Sequence, residues 1–268
     1  FPATHDTQAI SRWLSRGAWR FILAASPAVS KPMYNTPAMP NARLLRWPAR
    51  LDDAKALQES LRGRLRLSGG PRKVRLVAGA DLAVSQDGRT AWAGVVVASL
   101  PDLVPVESVW VRGPVTVPYV PGYLSFREGP HLLRAFAKLT SRPDLLLFDG
   151  QGIAHPRGFG LASHLGVLLG RPSIGCAKSR LVGEHDEPGT ERGAWAPLRM
   201  DGRTVGAVVR SRGGVRPLYV SVGHLISLRP AIRWTLACCR FRIPEPIRLA
   251  ERLVNRVKKE SLHAHAVG

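Results

Sequence analysis

The spacing of hydrophobic positions changes several times along the chain, and each change marks an element. Across 51–67, Leu51, Ala54, Leu57, Leu61 and Leu65 recur at helical spacing, with acids early and arginines late, an order that suits the helix dipole. Gly69-Gly70-Pro71 closes that helix. Residues 74–84 read as a strand, Asp87-Gly88 as a hairpin turn, 91–100 as a second and more apolar strand, and 104–117 as a third, which together predict an antiparallel meander. After the loop Pro118-Tyr119-Val120-Pro121-Gly122, Ser125 is placed to cap a helix running to about 140, with Glu128 completing the S-x-x-E spacing of a capping box. A buried strand over 144–149 ends at Asp149-Gly150. A Gly- and Leu-rich helix over 158–170 and a short strand over 173–177 follow. Alternation over 193–210 and 215–222 predicts two more strands, and 227–241 and 246–259 read as helices, the last one basic.

The resulting order, β-β-β-α-β-α-β, is that of an α/β protein with an RNase H-like mixed sheet and helices on both faces. Order of elements alone leaves function open. The first 40 residues differ from the rest: they are mixed, contain prolines and show no sustained period, so a poorly ordered extension is expected over 1–40 and a single folded domain over 41–260. The apolar stretch at 19–25 follows basic residues and imitates a targeting signal, but its apolar core is short.

Charge alters the picture most. Lys and Arg outnumber Asp and Glu by 39 to 19, a formal net charge of +20, and most of the excess is arginine, whose planar fork matches phosphate oxygens. A polyanionic partner, nucleic acid first, is the natural expectation, although GC-rich coding also enriches arginine. The three cysteines, Cys176, Cys238 and Cys239, lack framework spacing and read as free thiols of a reducing compartment, the cytoplasm. No apolar run approaches the roughly 18 residues of a membrane span, so no membrane partner is expected.

Three acids stand where the pattern brings them together. Asp81 lies in a strand between Val77-Ala78-Gly79-Ala80 and Leu82-Ala83-Val84, and Asp149 follows Leu145-Leu146-Leu147-Phe148. Carboxylates rarely enter such strands unless paired or ligating a metal. In an RNase H-like sheet the first and fourth strands are neighbours, so Asp81 and Asp149 would face each other, with Glu128 reaching them from the intervening helix. Hard oxygen donors without cysteine suit Mg²⁺, with Mn²⁺ as a substitute, and such an ion serves phosphodiester hydrolysis. Plainer readings exist for two of them, Asp149 before glycine as a common turn and Glu128 as a common helix cap, whereas Asp81 in an apolar strand is harder to explain so. Lys178, just past a strand, suits a phosphate contact or a solvated loop. His224 suits a base, a weak metal contact or a structural role.

Taken together, five segments resemble the endonuclease V family. They are Val77-Ala78-Gly79-Ala80-Asp81; Pro118-Tyr119-Val120-Pro121-Gly122-Tyr123-Leu124-Ser125-Phe126-Arg127-Glu128; Phe148-Asp149-Gly150-Gln151-Gly152 with 154–162; Gly175-Cys176-Ala177-Lys178-Ser179-Arg180-Leu181; and Ser221-Val222-Gly223-His224. They come in the family's order and span about 44–256. The resemblance implies an RNase H-like DNA repair endonuclease that recognises deoxyinosine, the deamination product of adenine, and hydrolyses the second phosphodiester bond 3′ to it, leaving 3′-hydroxyl and 5′-phosphate ends. It implies metal ligation by Asp81, Glu128 and Asp149, with Lys178 and His224 as further catalytic residues. Pro118, Tyr119, Val120 and Pro121 correspond to the wedge that enters the helix where the lesion leaves it. Gly122, Leu124, Gly150, His155 and Gly160, with Ser179 and Leu181, correspond to the base pocket. The partner implied is deoxyinosine-containing DNA, with inosine-containing RNA as the alternative substrate, and a monomer is expected. A basic binding protein that lost catalysis and a resolvase-type nuclease are the other readings, against which stand the three acids and the wedge. Where many relatives carry Ser or Thr soon after the first acid, this chain has Leu82-Ala83-Val84. Residues 1–38 have no counterpart, and Met39 falls where a start is expected.

Overall fold

In the computed structural model, residues 47–48 and 50–266 are described, with side chains up to 263. The N-terminal extension expected over 1–40, and Met39, lie outside the described residues. One eight-stranded sheet forms the centre. Its strands are β1 (Leu76–Val84), β2 (Thr90–Ser99), β3 (Pro105–Pro114), β4 (Leu145–Phe148), β5 (Ser173–Ala177), β6 (Trp195–Met200), β7 (Arg203–Val209) and β8 (Leu218–His224), in the order β3-β2-β1-β4-β5-β8-β7-β6. The helices are α1 (Leu51–Arg62), α2 (Leu124–Phe136), α3 (Leu161–Leu169), α4 (Leu228–Ala237) and α5 (Glu245–Ala266). None of the described helices is long and apolar enough to cross a membrane.

β1, β2 and β3 are the predicted antiparallel meander, whereas β4 pairs in parallel with both β1 and β5. A central parallel strand is covered on both faces, which is why 145–148 is an unbroken apolar run with every residue buried. Alternation along β1 and β4 divides the core. Ala78, Ala80, Leu146 and Phe148 pack under α2 and α3, while Val77, Leu145 and Leu147 pack on the side of α4 and α5. Trp92 and Val96 of β2 meet Ala250, Leu253, Val254 and Val257 of α5. Each large side chain buried this way contributes on the order of 1.5–3 kcal/mol.

Several boundaries differ from the sequence pattern for identifiable reasons. The stretch 193–210 is not one strand but a hairpin, β6–β7, reversed at Asp201-Gly202, where both residues have positive φ. α2 stops at Phe136 rather than near 140, because the Glu107 carboxylate takes the backbone N–H groups of Thr140 and Ser141 at 2.7 Å each. α1 stops at Arg62 with Gly63 as its C-cap, five residues short of the predicted end at 67. The predicted helix over 227–241 ends at Ala237, and the final basic helix is longer than predicted.

The capping box does not form. α2 begins at Leu124 with Tyr123 as N-cap and no side-chain cap, so Ser125 lies inside the first turn. Its hydroxyl is paired with His164 Nδ1 at 3.0 Å. The helix starts early because Gly122, at φ +80°, and the Tyr123 N–H to Val120 O bond of 2.9 Å fold the preceding loop tightly into it. Glu128 is thereby released from capping.

One close approach fixes α5 against the sheet. A Cβ on Gly79 would lie 2.1 Å from the Pro246 carbonyl carbon and 2.4 Å from the Ile247 nitrogen, all backbone atoms that cannot turn aside. Gly79→Ala is expected to destabilise the fold by about 1–3 kcal/mol through overpacking. A urea midpoint equal to that of the parent protein would contradict this contact.

Candidate active site

The β1–β4 register pairs Ala80 with Phe148, so Asp81 and Asp149 come one step later on two parallel neighbours, side by side. With two-residue alternation, Asp81 shares the orientation of Val77 and Gly79, towards α5. α5 contributes a fourth acid, Glu251, whose charge acts on Asp81. Glu128 arrives from α2, and the charges of Asp81 and Asp149 act on it. Burial, and then the negative charge of Asp149 and Glu251, push the Asp81 carboxyl up to about 7. Burial, followed by Asp81 and Asp149, pushes Glu128 up to about 8.

Lys178, just past the end of β5, places its ammonium 2.7 Å from Asp149 Oδ2 and 3.5 Å from Glu251 Oε1. Partial burial works against its charge, but the Asp149 hydrogen bond and the surrounding carboxylates outweigh it and hold the pKa above the ordinary lysine value. The acids therefore share their charge with this ammonium. Among the described residues, no three Asp, Glu, His or Cys side chains are arranged to enclose a metal as they stand. Two bonds position the Lys178 segment: Arg242 Nη2 donates to the Lys178 carbonyl at 2.8 Å, and Gln151 Nε2 to the Ser179 carbonyl at 3.2 Å.

Asp149 and Lys178 also form one wall of a cavity of about 300 Å³. Its other walls include Gly122, Leu124, Gly150, His155 and Gly160, together with Ser179 and Leu181, and Tyr119 stands at its rim, 56% exposed. The loop carrying Tyr119 is clamped at its base. The Gly122 carbonyl accepts hydrogen bonds from Gln58 Nε2 (3.2 Å), His155 Nε2 (3.0 Å) and Arg157 Nη2. Arg157 in turn donates to Gln58 Oε1 at 2.6 Å and lies 4.2 Å over the Tyr123 ring. His155 Nδ1 accepts the Arg157 N–H, so the ring is a neutral Nε2–H tautomer. Burial, then the Arg157 charge, lowers its pKa to about 4.

Of the residues singled out in the sequence, Asp81, Glu128, Asp149 and Lys178 come together. Tyr119, Gly122, Leu124, Gly150, His155, Gly160, Ser179 and Leu181 line the adjoining cavity. Pro118, Val120 and Pro121 belong to the loop beside it without lining it. His224 is placed elsewhere. It is buried at the end of β8 opposite Ser173, accepts the Arg66 N–H at 3.3 Å, and burial, Arg66 and Arg64 lower its pKa. Sequence reasoning missed Glu251 and Gln58. An acid among the arginines of α5, and a glutamine on the buried stripe of α1 between Ala54 and Leu61, were the available signals.

The sheet order, the mixed pairing and the acids at adjacent parallel strands define an RNase H-like α/β protein. The family model for Endonuclease V matches residues 59–252. The endonuclease V of Roseiflexus sp. (strain RS-1) is 50% identical over 210 residues, covering 78% of this chain and 94% of that protein. The crystal structure of the Streptomyces avermitilis endonuclease V superposes with a TM-score of 0.77 at 42% identity, covering 81% of this chain and 96% of that one. The Ciona intestinalis endonuclease V, solved with a 24mer DNA containing an inosine followed by a ribo-adenosine, matches with a TM-score of 0.68 at 28% identity over 78% of this chain and 98% of that one. The chain belongs to the endonuclease V family and is thus a nuclease.

The raised carboxyls make the metal-free fold pH-sensitive. Asp81 and Glu128 titrate near 7 and 8 when folded, against 3.8 and 4.5 as free side chains, so folding holds their protons. Their contribution to stability is present at pH values below about 4 and is lost as pH rises through 7 and 8. In EDTA, the urea midpoint of the parent protein is expected to fall between pH 5.5 and 8 by more than that of Asp81→Asn; equal falls would contradict the charge crowding. Gln58→Leu removes the clamp's central amide and is expected to cost about 1–3 kcal/mol. An unchanged unfolding midpoint would count against that clamp.

Proposed function

We propose that this protein is a metal-dependent DNA repair endonuclease that recognises deoxyinosine and hydrolyses the second phosphodiester bond 3′ to it. The observation that carries this reading is that one cavity, large enough for a flipped base, shares Asp149 and Lys178 with the acid cluster. Recognition and cutting are thus adjacent in one chain, which also supports a monomer. The inosine-containing DNA bound by the Ciona relative supports the choice of lesion.

The donor set suits a hard divalent cation. Asp81, Glu128, Asp149 and Glu251 offer carboxylate oxygens only, and the raised pKa values of Asp81 and Glu128 mark a shortage of positive charge. These residues would hold Mg²⁺, or Mn²⁺ in its place, and the ion supplies positive charge to the phosphate oxygens during hydrolysis. Lys178 adds a fixed ammonium for a phosphate oxygen. Tyr119, exposed on a loop stiffened by Pro118 and Pro121, fills the gap left by the flipped nucleotide. The glycines at 122, 150 and 160 let backbone groups approach the base edge. His224, bonded to Arg66 and away from the acids, is assigned a structural role. The three cysteines are free and buried, which supports the cytoplasm as the compartment.

The ribo-adenosine after the inosine in the Ciona complex favours testing RNA as a second substrate. Strands carrying one inosine, in DNA and in RNA, are incubated with and without Mg²⁺ and the products sized. Cutting immediately after the inosine's 3′ neighbour, only with metal, is expected for DNA; cutting confined to RNA would replace the substrate assignment. Asp81→Ala and Asp149→Ala are expected to abolish cutting while DNA binding survives, and normal cutting by both would remove the metal-site assignment. Tyr119→Ala is expected to weaken binding to inosine DNA more than to undamaged duplex; equal losses would contradict the wedge.

A further inference from the structure

A second groove opens on the other side of the acid cluster, and the chemistry above makes no use of it. It has a volume of about 540 Å³ and runs along α5, lined by Phe241, Arg242, Arg248, Glu251, Arg252 and Asn255 among others. On α5, Arg248, Glu251, Arg252 and Asn255 follow the three- and four-residue spacing of one helix face. Glu251 ends the groove at the acids, because the Lys178 ammonium lies 3.5 Å from it and 2.7 Å from Asp149. Base cavity, Asp149 with Lys178, Glu251 and arginine groove therefore follow one another across the surface.

The arginines differ in how they are held. Arg242 is fixed by bonds to the carbonyls of Arg216 (2.9 Å) and Lys178 (2.8 Å). Arg248 lies 3.9 Å over the Phe241 ring and 3.5 Å from Glu245, with its side chain only 18% exposed. Arg252 is exposed and has no acceptor or carboxylate partner among the described residues. Two oriented guanidinium groups and one uncommitted one form a site for phosphate oxygens. Such a site answers a need, since clustered carboxylates repel the polyanion that they must cut.

We propose that this groove binds the sugar–phosphate backbone of the cleaved strand on the 3′ side of the cut, holding the segment whose 5′-phosphate is released. The polarity rests on the function proposed above: with the lesion in the base cavity and the cut 3′ to it, the strand passes the acids and leaves over α5. The groove thereby makes the length of the 3′ arm a determinant of affinity.

The test measures binding by fluorescence anisotropy in EDTA, where no cutting occurs. Duplexes with one inosine share a 5′ arm and differ in the 3′ arm, which either ends at the cut or runs on for about ten nucleotides. Matching duplexes carry adenine. The unmodified protein is expected to bind the long arm roughly tenfold more tightly than the short one, and Arg252→Ala and Arg252→Glu to lose most of that gain, Glu more than Ala. The salt slope on the long arm is expected to fall by about 0.9 for each phosphate contact removed. Lys259→Ala, an exposed change on the same helix outside the groove, controls for general loss of charge. Equal losses on both arms, losses that follow the 5′ arm, or an Arg252→Ala variant no different from Lys259→Ala would overturn the proposal. The inosine-to-adenine ratio of the unmodified protein judges the proposed lesion separately: if it is one, that reading and the 3′ polarity fall, while a salt slope lowered by Arg252→Ala but not by Lys259→Ala still decides whether the groove holds phosphates.

Discussion

Carboxylates placed side by side in a partly buried corner repel one another, and the backbone has to supply the free energy that keeps them there. Here the constraint is the parallel pairing of β1 with β4, which sets Asp81 beside Asp149 through a register held by Leu145 and Leu147 in one core and Leu146 and Phe148 in the other. Around that pair the remaining parts are arranged. α2 brings Glu128, α5 brings Glu251, and Lys178 partly neutralises the group from the end of β5. The large buried core on both sides of the sheet offsets the cost.

The fold was largely legible because each central element carries its own local signal. The alternation of β1 to β3, the unbroken apolar run of β4 and the turn at Asp87-Gly88 depend on neighbours within a few residues. Asp81 and Asp149 were legible for the same reason, as charges in apolar strands. Glu128 was found, but beside a capping role it does not have, because the sequence pattern cannot show that Gly122 starts the helix two residues early. Glu251 escaped notice because its place at the acids is set by packing across about 170 residues of chain, through the contact of Gly79 with Pro246. His224 illustrates the converse: it lies in a segment that resembles the family, yet its side chain meets the Arg66 N–H at the end of β8.

The wedge loop and the base cavity form one mechanical unit with α1. A loop carrying an exposed tyrosine would ordinarily be free to sample many conformations. The convergence of Gln58, His155 and Arg157 on the Gly122 carbonyl ties it to the buried face of α1 and to the cavity wall at once. Tyr119 is thus presented at a fixed distance from the cavity, which reduces the ordering required when a duplex is engaged.

The three cysteines bear on how the protein withstands the conditions that create its proposed substrate. All are buried, and burial pushes the Cys239 thiol up to about 12 and holds Cys176 and Cys238 well above the usual thiol range. Thiols rather than thiolates, shielded from solvent, react slowly with electrophiles. Nitrosating agents, which turn amino groups of DNA bases into carbonyl groups, also attack exposed thiolates, and this protein offers them none among its described residues. Burial thus shields its thiols from the very reagents that would generate the proposed substrate.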